Sequence, residues 1–201
     1  MRSMPEFLIV ALLVTLTPGP GTATIIRVAA RDGRAAALRA VAGNSAGVLL
    51  WGTLSAAGVS SLILASEVAY DVLRIGGAAV LVVLGLRSLL QWGHLGPGEA
   101  RGPRRGAGFR AGLITSVSNP KLAVFFVALF PQFLSPHAAV LPAALAMAAV
   151  VVSFDLLWFS ALTYAVGRAK ALLKPRVQRI MERFTGAVLV GLGVGLAAES
   201  R

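Results

Sequence analysis

The stretch Thr17-Pro18-Gly19-Pro20 interrupts a long apolar run that starts at Phe7. In the second half of the chain, Ser118-Asn119-Pro120-Lys121 interrupts a second run that starts at Phe109. Proline lacks a backbone donor and its ring clashes with the preceding turn, so a helix is expected to break at each place. In lipid, the freed backbone groups are tolerated only where they are buried in protein or line a polar cavity. Two breaks at matching positions in two halves of a membrane protein indicate the substrate site of a secondary transporter.

The composition is typical of a membrane protein. Of 201 residues, 57% are hydrophobic and 13% are charged, with a mean hydropathy of +0.80, whereas soluble domains carry about 25% charged residues. The net charge of +11 would suggest nucleic acid as a partner of a soluble protein. Here basic cytoplasmic loops explain it, and we expect no nucleic acid. Cysteine is absent and both histidines, His94 and His137, fall in loops, so we expect no metal site and no cofactor.

Six apolar segments are candidates for membrane spans, each compared with the ~20 residues that cross a bilayer. They are 7–30, 41–65, 72–92, 109–134, 140–166 and the shorter 184–198. Lysine and arginine concentrate at alternate connections: four around the first, five around the third and six around the fifth. Because these residues mark cytoplasmic loops, the alternation predicts a multi-pass protein with both termini outside.

The predicted fold class is an all-α membrane protein of about six transmembrane helices, forming a single integral membrane domain over residues 1–201. The loop 93–108, rich in Gly, Pro and Arg and expected to be mobile, separates the halves 1–92 and 109–201. Three spans is an odd number, so the second half enters from the opposite face and the halves have inverted topology. Spans 1 and 4 contain the breaks at Pro18 and Pro120.

The candidate substrate ligands lie around the two breaks. Each half-helix after a break begins with unpaired amides and the positive end of its dipole, which favour a carboxylate. The predicted substrate-binding residues are Thr17, Pro18, Gly19, Pro20, Gly21, Thr22, Asn44, Asn119, Pro120 and Lys121. The alternative is that proline and glycine only kink crowded helices, and that the asparagines join one helix to another.

Lys121 and Asp155 are the charges deepest in apolar sequence. A charge at mid-bilayer costs about 2.5–3.5 kcal/mol on insertion scales, so both side chains are expected to face the interior of the bundle. Asp155 is predicted to couple transport to protons or to bind a substrate amine. The alternative is a structural ion pair between Asp155 and Lys121.

Taken together, the motifs resemble a known family. Thr17-Pro18-Gly19-Pro20, followed by a second span of small residues, resembles the opening of the lysine exporter (LysE) and homoserine/threonine exporter (RhtB) translocators. Asp155 with Trp158 and Tyr164 is similar to the fifth segment of that family. Three further motifs resemble its fourth segment: Phe109-Arg110-Ala111-Gly112-Leu113, Ser118-Asn119-Pro120-Lys121 and Pro131-Gln132-Phe133.

The resemblance implies a transporter, not an enzyme, that exports amino acids or small amino-acid derivatives from the bacterial cytoplasm by proton antiport. It places the protein in the inner cell membrane, with the amino-acid substrate, protons and membrane lipid as partners. A metal-ion or other cation exporter of related architecture and a non-transporting membrane subunit remain open as alternatives. Two glycine pairs have the spacing of close helix packing and leave a homodimer open: Gly43 with Gly47, and Gly191 with Gly195.

Overall fold

The computed structural model describes residues 3–65, 67–90, 108–134, 140–166 and 175–198. These residues form eight α-helices and no strand, which confirms the all-helical fold class. The helices are α1 (Met4–Leu16), α2 (Pro20–Asp32), α3 (Arg34–Ala65), α4 (Glu67–Leu90), α5 (Gly108–Val117), α6 (Pro120–Val124), α7 (Val140–Val166) and α8 (Pro175–Ala198). A π-helical turn (Phe125–Leu129) and a 3₁₀ turn (Phe130–Phe133) follow α6.

Within the described residues, the six apolar segments fall on helices and on the bends between them, and α3 and α8 start furthest ahead of the apolar sequence. α3 starts at Arg34, ahead of the segment predicted at 41, and α8 starts at Pro175, ahead of the segment predicted at 184. Arginines lower the hydropathy of these starts, Arg34 and Arg39 in α3 and Arg176, Arg179 and Arg183 in α8, so hydropathy alone marks the starts too late. Residues 93–107 of the predicted mobile loop, together with His94 and His137, lie outside the described residues.

Length and hydropathy distinguish three groups among these helices, none of which includes α3. Within the described ranges, one helix, Leu141–Val166, is long and apolar enough to cross a membrane alone. Two bent pairs pass the same test when each is taken as one span: Met4–Leu16 with Pro20–Asp32, bent by 46°, and Gly108–Val117 with Pro120–Phe133, bent by 49°. Ile75–Leu90 and Arg183–Ala198 are shorter apolar helices. The six-span inverted topology therefore stays a prediction.

Local sequence explains why a new helix starts after each bend. Pro18 has no N–H with which to continue α1, and the backbone N–H of Gly19 donates to Thr22 Oγ1 at 3.4 Å as α2 begins. At the second bend, Asn119 caps α6, because its side-chain oxygen accepts from the backbone N–H of Lys121 at 3.1 Å. Each bend is thus a helix end followed by a separately capped helix start.

Two apolar cores hold the helices together. The larger core joins α1, α3, α4, α7 and α8 to the turns after α6, and its aromatic centre contains Phe7, Phe125, Phe126 and Phe130. Neighbouring rings among these four are tilted or edge-to-face, with centroids 4.9 to 6.1 Å apart. The smaller core joins α2, the first turns of α3 and the second half of α7: Ile25, Val28, Ala36, Ala37, Ala40, Val41, Phe159 and Leu162.

The outward faces of the helices are also apolar. Ile9 on α1, Ile114 on α5 and Leu157 on α7 are 60%, 61% and 72% exposed. Similar exposed leucines and valines occur on α3, α4 and α8. A surface of this kind suits lipid rather than water, which agrees with a membrane protein.

Glycines bring α3 and α5 into close contact. A Cβ atom on Gly112 would lie 1.9 Å from the carbonyl oxygen of Ala40, and one on Gly43 would lie 2.0 Å from the carbonyl oxygen of Phe109. A Cβ atom on Gly47 would similarly lie 2.6 Å from the Ser116 side chain. The pair Gly43 and Gly47 therefore packs inside the chain, where its spacing serves close helix packing. The other pair, Gly191 and Gly195, has nothing within 4 Å of such a Cβ atom, so a homodimer stays a prediction.

We predict that Gly112→Ala destabilises the protein by about 1–3 kcal/mol, because the added methyl group forces the backbones of α3 and α5 apart. In detergent this lowers the melting temperature by about 2–4 °C per kcal/mol for a chain of this length. Gly191→Ala is the matched control, since it adds the same methyl group to a helix where nothing lies within 4 Å. Equal melting temperatures for Gly112→Ala and the wild type would contradict the close packing of α3 and α5.

Candidate functional site

The two bends meet at one cavity. Gly19, Gly21 and Thr22 reach it from the first bend, and Asn119 and Lys121 reach it from the second. Asn44 of α3 and Asp155 of α7 add polar groups, and the remaining lining residues are Val14, Thr15, Leu122, Val151 and Phe159. The space open to the centre of a water-sized sphere is about 20 Å³, which is room for about one water molecule. In this conformation the polar groups of the site enclose a space far smaller than an amino acid.

The structure brings most of the predicted site residues together. Six of them line the cavity with Asp155: Gly19, Gly21, Thr22, Asn44, Asn119 and Lys121. The other four, Thr17, Pro18, Pro20 and Pro120, form the bends and do not line it. For all ten residues, a role in binding a substrate stays a prediction. The fold itself brings the six lining residues and Asp155 to one cavity.

Five residues of the lining, four of them apolar, are not among those predicted from the sequence: Val14, Thr15, Leu122, Val151 and Phe159. Val151 and Phe159 lie four positions before and after Asp155, so the three share one face of α7. Thr15 lies one turn before Gly19 and directly after Val14. Spacing by four from Asp155 would have identified both α7 residues, whereas Leu122 follows only from the fold.

Lys121 replaces a hydrogen bond that Pro18 removes. In an uninterrupted helix, the carbonyl oxygen of Val14 would accept from the backbone N–H of residue 18, which proline lacks. The Lys121 ammonium group donates to this oxygen at 2.8 Å and to the carbonyl oxygen of Thr17 at 2.8 Å. A cation at the C-terminal end of a helix also interacts favourably with the helix dipole. The charge from the second bend therefore caps the helix end at the first bend.

Trp51 performs the equivalent task at the second bend. Pro120 leaves the carbonyl oxygen of Ser116 without its N–H four residues on. The indole Nε1–H of Trp51 donates to this oxygen at 3.3 Å, and the backbone N–H of Asn119 donates to it at 3.1 Å. Trp51 therefore ties α3 to the bend as well as filling space beside it.

Asp155 is buried and hydrogen-bonded. Its side chain is 5% exposed, and its Oδ2 accepts from Asn44 Nδ2 at 2.9 Å. Thr15 lies beside this carboxyl group and interacts with it, although the Thr15 hydroxyl has no hydrogen-bond partner of ordinary length. Within the described part of the chain, no nitrogen–oxygen contact of 4 Å or less joins Lys121 to Asp155. The direct ion pair considered from the sequence is not formed, and the two charges act across the cavity.

Glycines allow the backbone of the first bend to approach these groups. A Cβ atom on Gly19 would lie 3.7 Å from Lys121 Nζ, which is an ordinary contact. A Cβ atom on Gly21 would lie 3.1 Å from Asn44 Oδ1, which is tighter than ordinary contacts. The start of α2 therefore sits directly against the Asn44 side chain that orients the Asp155 carboxylate.

The comparisons with known proteins identify the family. The profile of the LysE type translocators matches residues 12–200. The chain belongs to this family. Proteins of this family are transporters, which supports a membrane transport protein rather than an enzyme, and the resemblance found in the sequence motifs is confirmed.

Three relatives show how far the similarity extends. The uncharacterized membrane protein YrhP of Bacillus subtilis is 25% identical over 96% of this chain and 98% of its own length. The homoserine/homoserine lactone efflux protein of Salmonella typhi is 27% identical over 96% of this chain and 94% of its own length. An uncharacterized membrane protein of Pseudomonas aeruginosa is 33% identical over 94% of this chain and 92% of its own length. No solved structure matches the chain.

We predict that Trp51→Phe destabilises the protein by about 1 kcal/mol more than the same change at Trp158, because both changes keep the six-membered ring and lose the pyrrole ring, but only Trp51→Phe loses an N–H bonded to a carbonyl group, that of Ser116. Trp158→Phe is the matched control, since the buried Nε1–H of Trp158 has no hydrogen-bond partner. The thermal unfolding of both variants in detergent measures the difference. If Trp158→Phe destabilises as much as Trp51→Phe, the bond to Ser116 is not what stabilises this bend.

Proposed function

We propose that this protein exports an amino acid or a small amino-acid derivative from the bacterial cytoplasm in exchange for protons. The observation that carries the proposal is the placement of a lysine and a buried aspartate on one cavity, where two bent helix pairs meet. Membership of a translocator family supports transport, and the efflux named for the relative from Salmonella supports export. The bends support a site in broken membrane spans, the arrangement typical of secondary transporters.

The start of α2 is the proposed site for the substrate carboxylate. The first hydrogen bond of α2 runs from the backbone N–H of Ala23 to the carbonyl oxygen of Gly19. The amides of Gly21 and Thr22 therefore have no partner within the helix, and both residues line the cavity. Amides at a helix start favour an anion. Lys121 has three donor hydrogens, of which two bond to carbonyl groups, so one is left for the carboxylate.

The Asp155 carboxylate is the proposed site for the substrate ammonium group and for the transported proton. Asn44 donates to one carboxylate oxygen, and the carboxyl group lines the cavity together with the Thr15 hydroxyl. Burial in apolar surroundings disfavours a bare carboxylate, so Asp155 is expected to hold either a cation or a proton. The two exclude each other, since protonation removes the charge that attracts the ammonium group. Mutual exclusion at one carboxylate is the physical basis of antiport.

Alternating access requires each side of the cavity to open in turn. On the side of the α2–α3 turn, the smaller core closes the site: Phe159 belongs to it and also lines the cavity. At this end the Arg34 guanidinium lies 3.4 Å from the centre of the Tyr164 ring. On the other side lies the larger aromatic core, to which the lining residues Val14, Leu122 and Val151 belong. We propose that the bent pairs move relative to α3 and α7, so that one core separates while the other stays packed.

The proposed membrane arrangement has six spans, inverted halves and both termini outside. The basic residues then flank the cytoplasmic side, where the smaller core closes the cavity. Export starts from that side, with the amino acid entering past Phe159. The proton enters from outside and reaches Asp155 once the larger core has opened.

We predict that Asp155→Asn abolishes pH-driven export while the protein remains folded, because the amide neither carries a proton nor attracts an ammonium group. Purified protein in proteoliposomes, assayed for uptake of labelled homoserine and a panel of amino acids under an imposed pH gradient, is expected to lose at least tenfold in rate. Glu6→Gln is the matched control: it also converts a carboxylate to an amide, and glutamine still serves the capping box with Ser3 at the start of α1. Unchanged pH-driven transport by Asp155→Asn excludes Asp155 as the coupling group.

We also predict that the free amino group of the substrate is required. N-acetylation removes the positive charge that Asp155 is proposed to bind, so the N-acetyl form of an exported amino acid is expected to compete at least tenfold more weakly than the free form. Inhibition of labelled export by the two unlabelled forms, added to the same proteoliposomes, measures this. Equal competition would place the amino group outside the cavity and would remove the proposed role of Asp155 in binding it.

A further inference from the structure

The carbonyl groups at the end of α1 form a cation site, and a lysine fills it. Val14 and Thr17 present their carbonyl oxygens at the first bend, and both lie 2.8 Å from Lys121 Nζ. Carbonyl groups freed where a membrane helix unwinds, together with the C-terminal end of a half-helix, are typical ligands of a transported sodium ion. Here the ligands are present and the positive charge at their centre belongs to the protein.

The groups around the Lys121 ammonium offer mainly oxygen atoms as possible ligands for a cation. The Thr15 hydroxyl is buried, lines the same cavity beside the Asp155 carboxyl group and has no hydrogen-bond partner of ordinary length. The Asp155 carboxylate lines it as well, with one oxygen bonded to Asn44. Carbonyl, hydroxyl and carboxylate oxygens are the ligands that hard cations prefer. Without the lysine amine, this cavity would combine a carboxylate with the negative end of a helix dipole and would hold no compensating charge.

We propose that Lys121 is a tethered cation that takes the place of a bound sodium ion, so that the protein operates without sodium, and that removing its amine turns the same oxygens into a sodium site. The sodium site itself does not depend on the function proposed above. The sodium independence of transport does rest on that function.

The tether has a mechanical consequence that a free ion would not have. Lys121 belongs to α6, after the second bend, whereas the carbonyl oxygens of Val14 and Thr17 belong to the first bend. The two hydrogen bonds therefore join the two bent pairs directly, and they must break if those pairs separate. A sodium ion could leave with the substrate, but the lysine returns to the same oxygens in every cycle.

The experiment measures thermal unfolding of the purified protein in NaCl and in choline chloride at equal ionic strength. Wild type and Lys121→Arg, which keeps the positive charge, are expected to melt at the same temperature in both salts. In choline chloride, Lys121→Ala is expected to melt at a lower temperature than the wild type. At a sodium concentration ten times the dissociation constant of this variant for sodium, its melting temperature is expected to rise by about 3 °C or more. Arg110→Ala, which removes an exposed cation on α5, is the control for nonspecific effects of lost charge. The double variant Lys121→Ala/Asp155→Asn is expected to lose the sodium effect.

Each result decides the proposal. A Lys121→Ala variant that folds without any sodium effect contradicts it, and so does one that fails to fold in both salts while Lys121→Arg folds. A wild-type protein whose stability or transport requires sodium overturns the role of the lysine. If the wild type moves no amino acid but Lys121→Ala gains sodium stabilisation, the proposed transport function fails while the tethered cation stands.

Discussion

Carbonyl groups that proline deprives of their hydrogen bonds are the constraint on which this structure depends. In an apolar interior each such oxygen needs a donor from elsewhere, since no water is available to serve it. The Lys121 ammonium group donates to the carbonyl oxygen of Val14, and the indole N–H of Trp51 donates to that of Ser116. A third oxygen, that of Phe126, lies five residues before Pro131, the spacing of a π-helical bond, and accepts from the hydroxyl of Ser55. These donors are remote in sequence from the oxygens they serve. The need to supply each oxygen with a donor therefore decides which helices lie together.

The cavity is a consequence of these pairings. Lys121 reaches the end of α1 only if the second bend lies against the first, and Trp51 reaches Ser116 only if α3 lies beside both. α3 then carries Asn44 to the same depth, and Asn44 bonds to Asp155 on α7. Four parts of the chain thus converge on one small polar volume within an otherwise apolar bundle. The glycines of α3 and α5 permit this approach, because side chains there would collide with backbone carbonyl groups.

Much of this arrangement could be predicted from residues that break a local rule. Pro18 and Pro120 interrupt apolar runs, and their positions predicted both bends. Lys121 and Asp155 are charged residues in apolar segments, and their positions predicted part of the polar lining. The partners of the freed oxygens could not be predicted in the same way. Residue spacing identifies Val14 and Ser116 as carbonyls without donors, but it does not say that a lysine from the other half and a tryptophan from α3 supply them. Those choices depend on tertiary packing.

The starts of α3 and α8 were missed for a related reason. Hydropathy marks where a helix enters apolar surroundings, whereas hydrogen bonding and capping decide where the helix itself begins. The first turns of α3 and α8, which contain arginine, continue the helices beyond the apolar segments. The size of the cavity could not be predicted from the sequence either, because it depends on how closely the two cores pack in one conformation.

The charges of the cavity limit how transport can be driven. Lys121 and Asp155 compensate each other across the cavity, so an empty site is close to neutral and a zwitterionic amino acid adds no net charge. In the proposed antiport, exchange of that zwitterion for one proton would move one positive charge inward, to which a membrane potential of 100 mV contributes about 2.3 kcal/mol. A cationic substrate exchanged for one proton would move no net charge and would gain nothing from the potential. For the proposed antiport, the charge of the substrate therefore decides whether voltage or only the pH difference drives export.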